Sequence, residues 1–379
     1  MKHFIMVGAD LHDKTIRYRV AVDKERSKGR TVLHTPEGRR EMVKALKALS
    51  ERYQGAAIYL GFEAGPHGFG LYDELEAAGV RCAPLAPTEM EKSSDARVQK
   101  TDDKDAERIL EVVRSWVLAG KDPPLVAVPD PQTRLDREPV RLRVRVGCRT
   151  GKIKTQVRSL LTRHSLRCDG SFDGEHLQAL KRLSETMARS LGATLRSLLQ
   201  ELEWAEEQKH DLDEIIGELA ETPRYRPAVA ALRTLKGVGV LTAMSVILEF
   251  GDPGRFENRR QVGSFLGLVP TQADSGARVD RLGHITKKGP GLVRRLLCQA
   301  AWAVIREDKA VGVKYQKWCR KHPQEKMVFV VAQMRRLGIR AWHKLQDAYR
   351  EKPMSVLPNT PPYWCMRFSV NNRNVRRRA

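Results

Sequence analysis

The chain is short of acid. Against 68 lysines and arginines it carries 46 aspartates and glutamates, giving a formal net charge of +22 and a pI near 10.0. A field of that sign favours a polyanionic partner, nucleic acid before an anionic membrane surface. Long apolar runs are missing too: no stretch reaches the roughly eighteen apolar residues of a membrane-spanning helix. The N-terminus lacks a charged-then-apolar signal layout. Cysteine is sparse. Cys82, Cys148, Cys168, Cys298, Cys319 and Cys365 form no Cys-x-x-Cys and no Cys/His cluster, which argues against a zinc site or a disulfide framework and fits a reducing cytosol. The expectation is a cytoplasmic protein without a membrane partner. Gly65-Pro66-His67-Gly68-Phe69-Gly70 lacks phosphate-loop spacing, so it receives no nucleotide role. No internal repeat occurs. With 41% hydrophobic residues over 379 positions, there is core for two or three domains.

The acids that are present fall at element ends. Asp10 ends the apolar run Phe4-Ile5-Met6-Val7-Gly8-Ala9, and Glu63 closes Ala57-Ile58-Tyr59-Leu60-Gly61-Phe62 in the same way. Asp102 and Asp105 stand at i and i+3 in Lys100-Thr101-Asp102-Asp103-Lys104-Asp105-Ala106, so on a helix both leave one face. Two strand-end carboxylates and a helix pair have the hard oxygens that hold Mg²⁺ for phosphodiester chemistry, where the ion polarises the phosphate and lowers the pKa of an attacking oxygen. Each acid alone reads as a cap or turn residue; the four in fold order favour a metal site. Asp103 is expected to point elsewhere, unless a register shift lets it replace Asp102.

In chain order, the patterning predicts strands at 4–10, 15–22 and 30–35, a helix at 38–52, a strand at 56–62, a helix at 69–78, a strand at 80–85 and a helix through 102–118. Three strands with short links precede the first helix, which predicts an antiparallel meander and an RNase H-like fold for residues 1–125. A Pro-rich joint runs from Asp122 to Pro131. Beyond it, Arg134, Arg137, Arg141, Arg145, Arg149 and Lys152 recur every three or four residues, a basic stripe that suits a phosphate backbone or a merely solvated face. Pro139 and Gly147 are expected to bend or interrupt that helix. Leu191, Leu195, Leu198, Leu202, Ala205, Leu212, Ile216 and Leu219 then follow heptad spacing, with Lys209 the one polar seam position. Residues 126–222 therefore read as a basic helix and a coiled-coil arm, which either dimerises or packs back as an intramolecular hairpin.

Pro223 to Pro227 open a third region, 223–350. Leu235-Lys236-Gly237-Val238-Gly239-Val240 puts Gly237 and Gly239 in a turn ahead of an apolar helix, the pattern of a helix-hairpin-helix phosphate contact and equally of a turn between two core helices. Asp274-Ser275-Gly276-Ala277-Arg278, followed by Lys287 and Lys288, has the ingredients of a nucleophile beside cationic charge, though a Ser-Gly pair is more often a simple turn. Residues 290–306 and about 310–350 read as helices, and 351–379 as a flexible basic tail.

Asp10, Glu63 and Lys100-Thr101-Asp102-Asp103-Lys104-Asp105-Ala106, taken with Leu235 to Ala243 and Phe265 to Gly289, resemble the transposases of the insertion-sequence-110 family over most of residues 4–305. The resemblance implies an α/β plus all-α protein: a RuvC-like domain, central coiled-coil helices and a helical C-terminal transposase domain. It implies that Asp10, Glu63, Asp102 and Asp105 bind Mg²⁺ and that Ser275 attacks a phosphodiester to form a covalent phosphoserine-DNA intermediate. Donor and target DNA, a structured guide RNA and a homo-oligomer, dimer or tetramer, with a composite active site are the implied partners, the protein being nucleoid-associated when on DNA. The family often has two serines before the glycine, whereas Asp274 takes the first place here. A hydrolytic, Holliday-junction-resolvase-like nuclease using only the metal site is the alternative. A nucleic-acid-binding protein with a degenerate site is a third reading, disfavoured by the complete acid set.

Overall fold

The structure, a computed structural model, describes residues 3–67, 69–87, 102–272 and 282–351. Ser275, Arg278 and the tail from 352 lie outside the described residues. Two compact units divide the chain, one running to Val128 and the other beginning at Pro129, within the Pro-rich joint.

The first unit holds β1 (Phe4–Leu11), β2 (Thr15–Val22), β3 (Lys28–Leu33), α1 (Pro36–Arg52), β4 (Ala57–Glu63), α2 (Gly70–Ala77), β5 (Arg81–Leu85) and α3 (Asp102–Ala119). The sheet order is β3-β2-β1-β4-β5. β1, β2 and β3 pair antiparallel, because their links are long enough only for hairpins; β4 lies parallel to β1 and β5 parallel to β4, as the helical crossovers require.

Alternation along the strands then decides which side chains meet which helix. On β1, Ile5, Val7 and Ala9 join Ile58, Leu60 and Phe62 of β4 in the core against α1 and α2, where Met42, Leu46, Leu71 and Leu75 pack. The opposite series, Met6 and Tyr59, packs with Leu110 and Val113 of α3. Gly8 and Gly61 belong to this second series. A Cβ on Gly8 would lie 2.2 Å from the Leu110 backbone N and 2.3 Å from the Ala106 carbonyl O, so the missing side chain lets α3 rest its backbone on β1. Asp10 and Glu63 continue the same parity and therefore face α3.

The second unit holds α4 (Pro131–Arg163), α5 (Gly174–Thr186), α6 (Arg189–Glu221), α7 (Arg226–Arg233), α8 (Val240–Phe250), α9 (Arg259–Phe265), the hairpin β6 (Pro270–Gln272) and β7 (Leu282–Ile285), α10 (Gly291–Glu307), α11 (Lys309–Lys321) and α12 (Lys326–Glu351). Two expectations need correcting, and of the two readings left open for the leucine arm the structure shows the hairpin. Pro139 does not interrupt its helix: α4 is continuous, capped by Asp130, which accepts from the Thr133 N–H at 3.0 Å. Val140, Val144, Ile153 and Val157 are buried along its length, and that packing outweighs one lost backbone hydrogen bond. The leucine arm of α6 pairs within the chain, packing along α4 as a hairpin. Its buried positions include Leu195, Leu199, Leu202, Ala205, Leu212, Ile216 and Ala220. Leu199 and Ala220 thus replace Leu198 and Leu219, as expected for a helix following a 3.6-residue period. The predicted helix over 310–350 is two helices, since Pro323 disfavours helical geometry at His322.

Candidate active site

Three ligand atoms converge at the end of β1. His12 Nε2 lies 3.0 Å from Asp10 Oδ2 and 3.2 Å from Asp102 Oδ1, and all three atoms lie within 4.8 Å of one another. Each arrives for a local reason. Asp10 comes with strand parity. His12 sits at the turn after β1, where its N–H donates to Thr15 O at 2.9 Å. Asp102 opens α3, with Asp103 and Asp105 in the same first turn, where the helix dipole favours anions.

Electrostatics mark the spot. Burial pushes the Asp10 carboxyl above its ordinary value; the charges of Asp105 and Asp102 add to that, and His12 works against it. Carboxylates crowded around a half-buried acid are an arrangement that a cation relieves. The donors fit a divalent ion, being hard carboxylate oxygens with one imidazole nitrogen.

The rotation of α3 is fixed by Asp103. Its Oδ1 accepts from Arg17 Nε and Nη2 at 2.9 and 2.7 Å, and its Oδ2 accepts from Arg19 Nη1 at 2.5 Å. Arg17 is the cross-strand partner of Asp10, and Arg19 that of Gly8, so both arginines reach the α3 face. The Arg17 hydrogen bonds, with the Arg19 charge, hold the Asp103 carboxyl below its ordinary value, outweighing burial. Asp103 is thereby occupied on β2, and Asp102 is the acid turned toward Asp10.

Glu63 is drawn the other way. Its Oε1 accepts from Arg108 Nη2 at 2.5 Å, one helical turn beyond Asp105, while Arg108 Nε is buried without a partner. Of the four sequence-predicted acids, only Asp10 and Asp102 join His12 in the cluster; Asp105 is near enough for its charge to act on Asp10, and Glu63 is held by Arg108. Sequence reasoning missed His12, Arg17, Arg19 and Arg108. Only for His12 was a signal available, namely an imidazole two residues beyond a strand-end acid.

The basic stripe on α4 divides. Arg137 is 14% exposed and donates from Nε and Nη2 to the Leu248 carbonyl at 2.9 and 2.6 Å. Arg141 donates from Nε and Nη2 to Glu249 Oε1 at 3.1 and 2.8 Å. These two tie α4 to α8, a structural use that neither the phosphate-backbone nor the solvated-face reading gave them; Arg134 is half-buried. Arg145, Arg149 and Lys152 are exposed, Arg149 lying over the Trp204 ring at 5.3 Å.

Around the second motif, Gly237 has φ +77°, and a Cβ there would meet the Ala300 carbonyl O of α10 at 2.6 Å. Gly239 caps α8 with extended backbone and open space at its Cβ position. Lys287 and Lys288 are exposed, Lys287 in the left-handed region with φ +54°. Gly267 and Gly289 let this loop lie directly against the end of α9, since a Cβ on Gly267 would fall 2.1 Å from Lys288 O. Among the described residues no helix is long and apolar enough to cross a membrane.

Comparison with known proteins finds similar sequences along the chain. The profile described as "Transposase IS116/IS110/IS902 family" matches residues 229–316, the span from α7 into α11. A protein of Sinorhizobium fredii named y4qE is 29% identical over 260 residues, 68% of this chain and 61% of its own length. The "Transposase for insertion sequence element IS1533" of Leptospira borgpetersenii is 27% identical over 80% of this chain and 86% of its own. The "Transposase for insertion sequence element IS1111A" of Coxiella burnetii is 37% identical over 28% of this chain and 30% of its own. The turn through Gly237 and Gly239 and the loop carrying Lys287 and Lys288 lie within residues 229–316, and over that span the chain is similar to the IS116/IS110/IS902 transposase family.

Proposed function

We propose that the chain is a DNA transposase of a mobile insertion sequence, cutting and rejoining strands with a divalent cation and a serine nucleophile. The observation that carries the reading is the convergence of Asp10, His12 and Asp102 at the edge where β1 meets the first turn of α3, in a chain with these relatives. The strand order β3-β2-β1-β4-β5 with an antiparallel first half and a parallel second half supports an RNase H-like, RuvC-like domain. The turn through Gly237 and Gly239 into α8 supports a helix-hairpin-helix-like phosphate contact.

Asp10 and Asp102, with Asp105 beside them and Glu63 on the adjacent strand, are the residues to hold Mg²⁺. When bound, the ion supplies charge neutralisation at a phosphate and a lowered pKa for an attacking oxygen. Ser275 is assigned the nucleophile: its Oγ attacks the phosphorus, the phosphodiester's leaving oxygen departs as a hydroxyl, and the phosphoserine link holds the broken end for rejoining. Lys287, Lys288 and Arg278 would offset phosphate charge. A structured guide RNA pairing with donor and target DNA, and a homo-oligomer with a composite site, complete the reading. In that scheme, base pairing rather than protein contacts carries sequence choice.

The test is a covalent-adduct assay. Protein with Mg²⁺, its co-purifying RNA and labelled DNA carrying the element's junction is denatured and probed for DNA attached to protein. The expected result is an adduct mapping to Ser275, absent in Ser275→Ala and in Asp102→Asn, with DNA binding retained in Asp102→Asn. Cleavage without an adduct, undiminished in Ser275→Ala, would replace the serine mechanism with hydrolysis.

A further inference from the structure

We infer that His12 is a metal ligand, and that this chain's cation site is a mixed nitrogen and oxygen site that selects Mn²⁺ over Mg²⁺. The inference deepens the proposed function and rests on the acidic site being a metal site.

The spacing of the donors carries it. With metal–donor distances of about 2.1 Å, neighbouring corners of an octahedron lie about 3.0 Å apart. His12 Nε2 stands 3.0 Å from Asp10 Oδ2 and 3.2 Å from Asp102 Oδ1, which matches two such edges sharing the imidazole corner. A hydrogen-bond account covers only half of this, because Nε2 carries at most one hydrogen and is bonded to Asp10. A cation between the three atoms satisfies both carboxylates and the nitrogen together. The neighbours reinforce the choice. Glu63, the other strand-end acid, is engaged by Arg108, and Asp103 by Arg17 and Arg19, which leaves His12 as the additional donor closest to Asp10 and Asp102 among the described residues. His12 is 44% exposed, so its ring is free of the core and can follow an ion.

An imidazole added to the carboxylates changes which ion is held. Carboxylate and water suit Mg²⁺, whereas a nitrogen donor adds affinity for transition metals, Mn²⁺ included. Mg²⁺ also gives up its water reluctantly and gains least from such a ligand.

The experiment uses the full chain and Mn²⁺ alone. Calorimetry gives the affinity, and pulsed paramagnetic resonance of bound Mn²⁺ detects any directly coordinated ¹⁴N. The expected result is a histidine nitrogen coupling in the wild type, shifted when histidine is ¹⁵N-labelled and lost in His12→Ala. Mn²⁺ affinity of that variant should fall at least about tenfold, since even residues one shell farther from a metal are worth about that much, and Mg²⁺ affinity by a smaller factor. Mn²⁺ bound in an Asp10-dependent manner with no nitrogen coupling, or with coupling that survives His12→Ala, overturns the inference and leaves the acidic site standing. Mn²⁺ binding that is absent, or undiminished in Asp10→Asn, overturns the metal site itself and the inference with it.

Discussion

Replacing Gly8 by alanine tests how the edge that carries the candidate site is assembled. A Cβ at that position would fall 2.2 Å from Leu110 N and 2.3 Å from Ala106 O, whereas ordinary contact begins at 3.4 Å. Both obstacles are backbone atoms of α3, so no rotamer change relieves them. The helix must retreat by about 1 Å, the difference between those distances, or tilt. Overpacking of this kind costs typically 1–3 kcal/mol, and the packing of Leu110 and Val113 against Met6 and Tyr59 loosens with it. Because Asp102 and Asp105 ride on α3, the same retreat draws their carboxylates from Asp10. Gly8→Ala is therefore expected to lower the urea midpoint and to weaken Mn²⁺ binding together, while α4 to α12 keep their hydrogen-exchange protection. Gly61→Ala is the milder companion, because its Cβ would meet the Val113 side chain at 2.6 Å, and a side chain can move. If Gly8→Ala matches wild type within about 0.5 kcal/mol and binds metal normally, α3 does not rest on β1 as described.

Charge reversal at Arg145 and Arg149 should weaken binding to DNA of any sequence and flatten its salt dependence, by about 0.9 in the logarithmic slope for each phosphate no longer neutralised. An unchanged slope would return that face to solvent. Arg137→Ala, by contrast, should cost stability, because it leaves the Leu248 carbonyl without its guanidinium donors; thermal melting that matches wild type would refute that. Asp130 supplies a pH signature. Burial opposes its ionisation, but the Thr133 hydroxyl and N–H and the Arg224 guanidinium outweigh burial and hold its pKa below the ordinary 3.8. A carboxyl depressed in the folded state stabilises above its unfolded pKa, and that contribution is lost as pH falls through the folded one. The stability gap between wild type and Asp130→Asn should therefore be full at neutral pH and close below about pH 4; a gap constant down to pH 3 would refute the assignment.

Much of the first unit was legible because strands and amphipathic helices write their period into the sequence. β1, β2, β4 and β5 begin and end within a residue or two of expectation, and the apolar runs singled out Asp10 and Glu63 as strand-end acids, although the register that puts both on one face comes from the structure. The second unit was less legible. Its two 33-residue helices, α4 and α6, carry heptad-like and basic patterns that read the same whether the partner is DNA, another copy or the same chain. α5 and the hairpin of β6 and β7 gave no periodic signal long enough to read.

What the sequence determined by itself was the set of donors, their order, and the meander that makes the sheet, all consequences of local spacing. Tertiary structure decided which of those groups meet. Asp103 and Glu63 carry the same carboxylate group as Asp102, but Arg17, Arg19 and Arg108 claim them across 45 to 86 residues of chain. Likewise, Arg137 carries the same guanidinium as Arg149, but α8 encloses it. Charge is a property of a residue, whereas its availability depends on what the fold packs beside it, and no short window of sequence contains that neighbour.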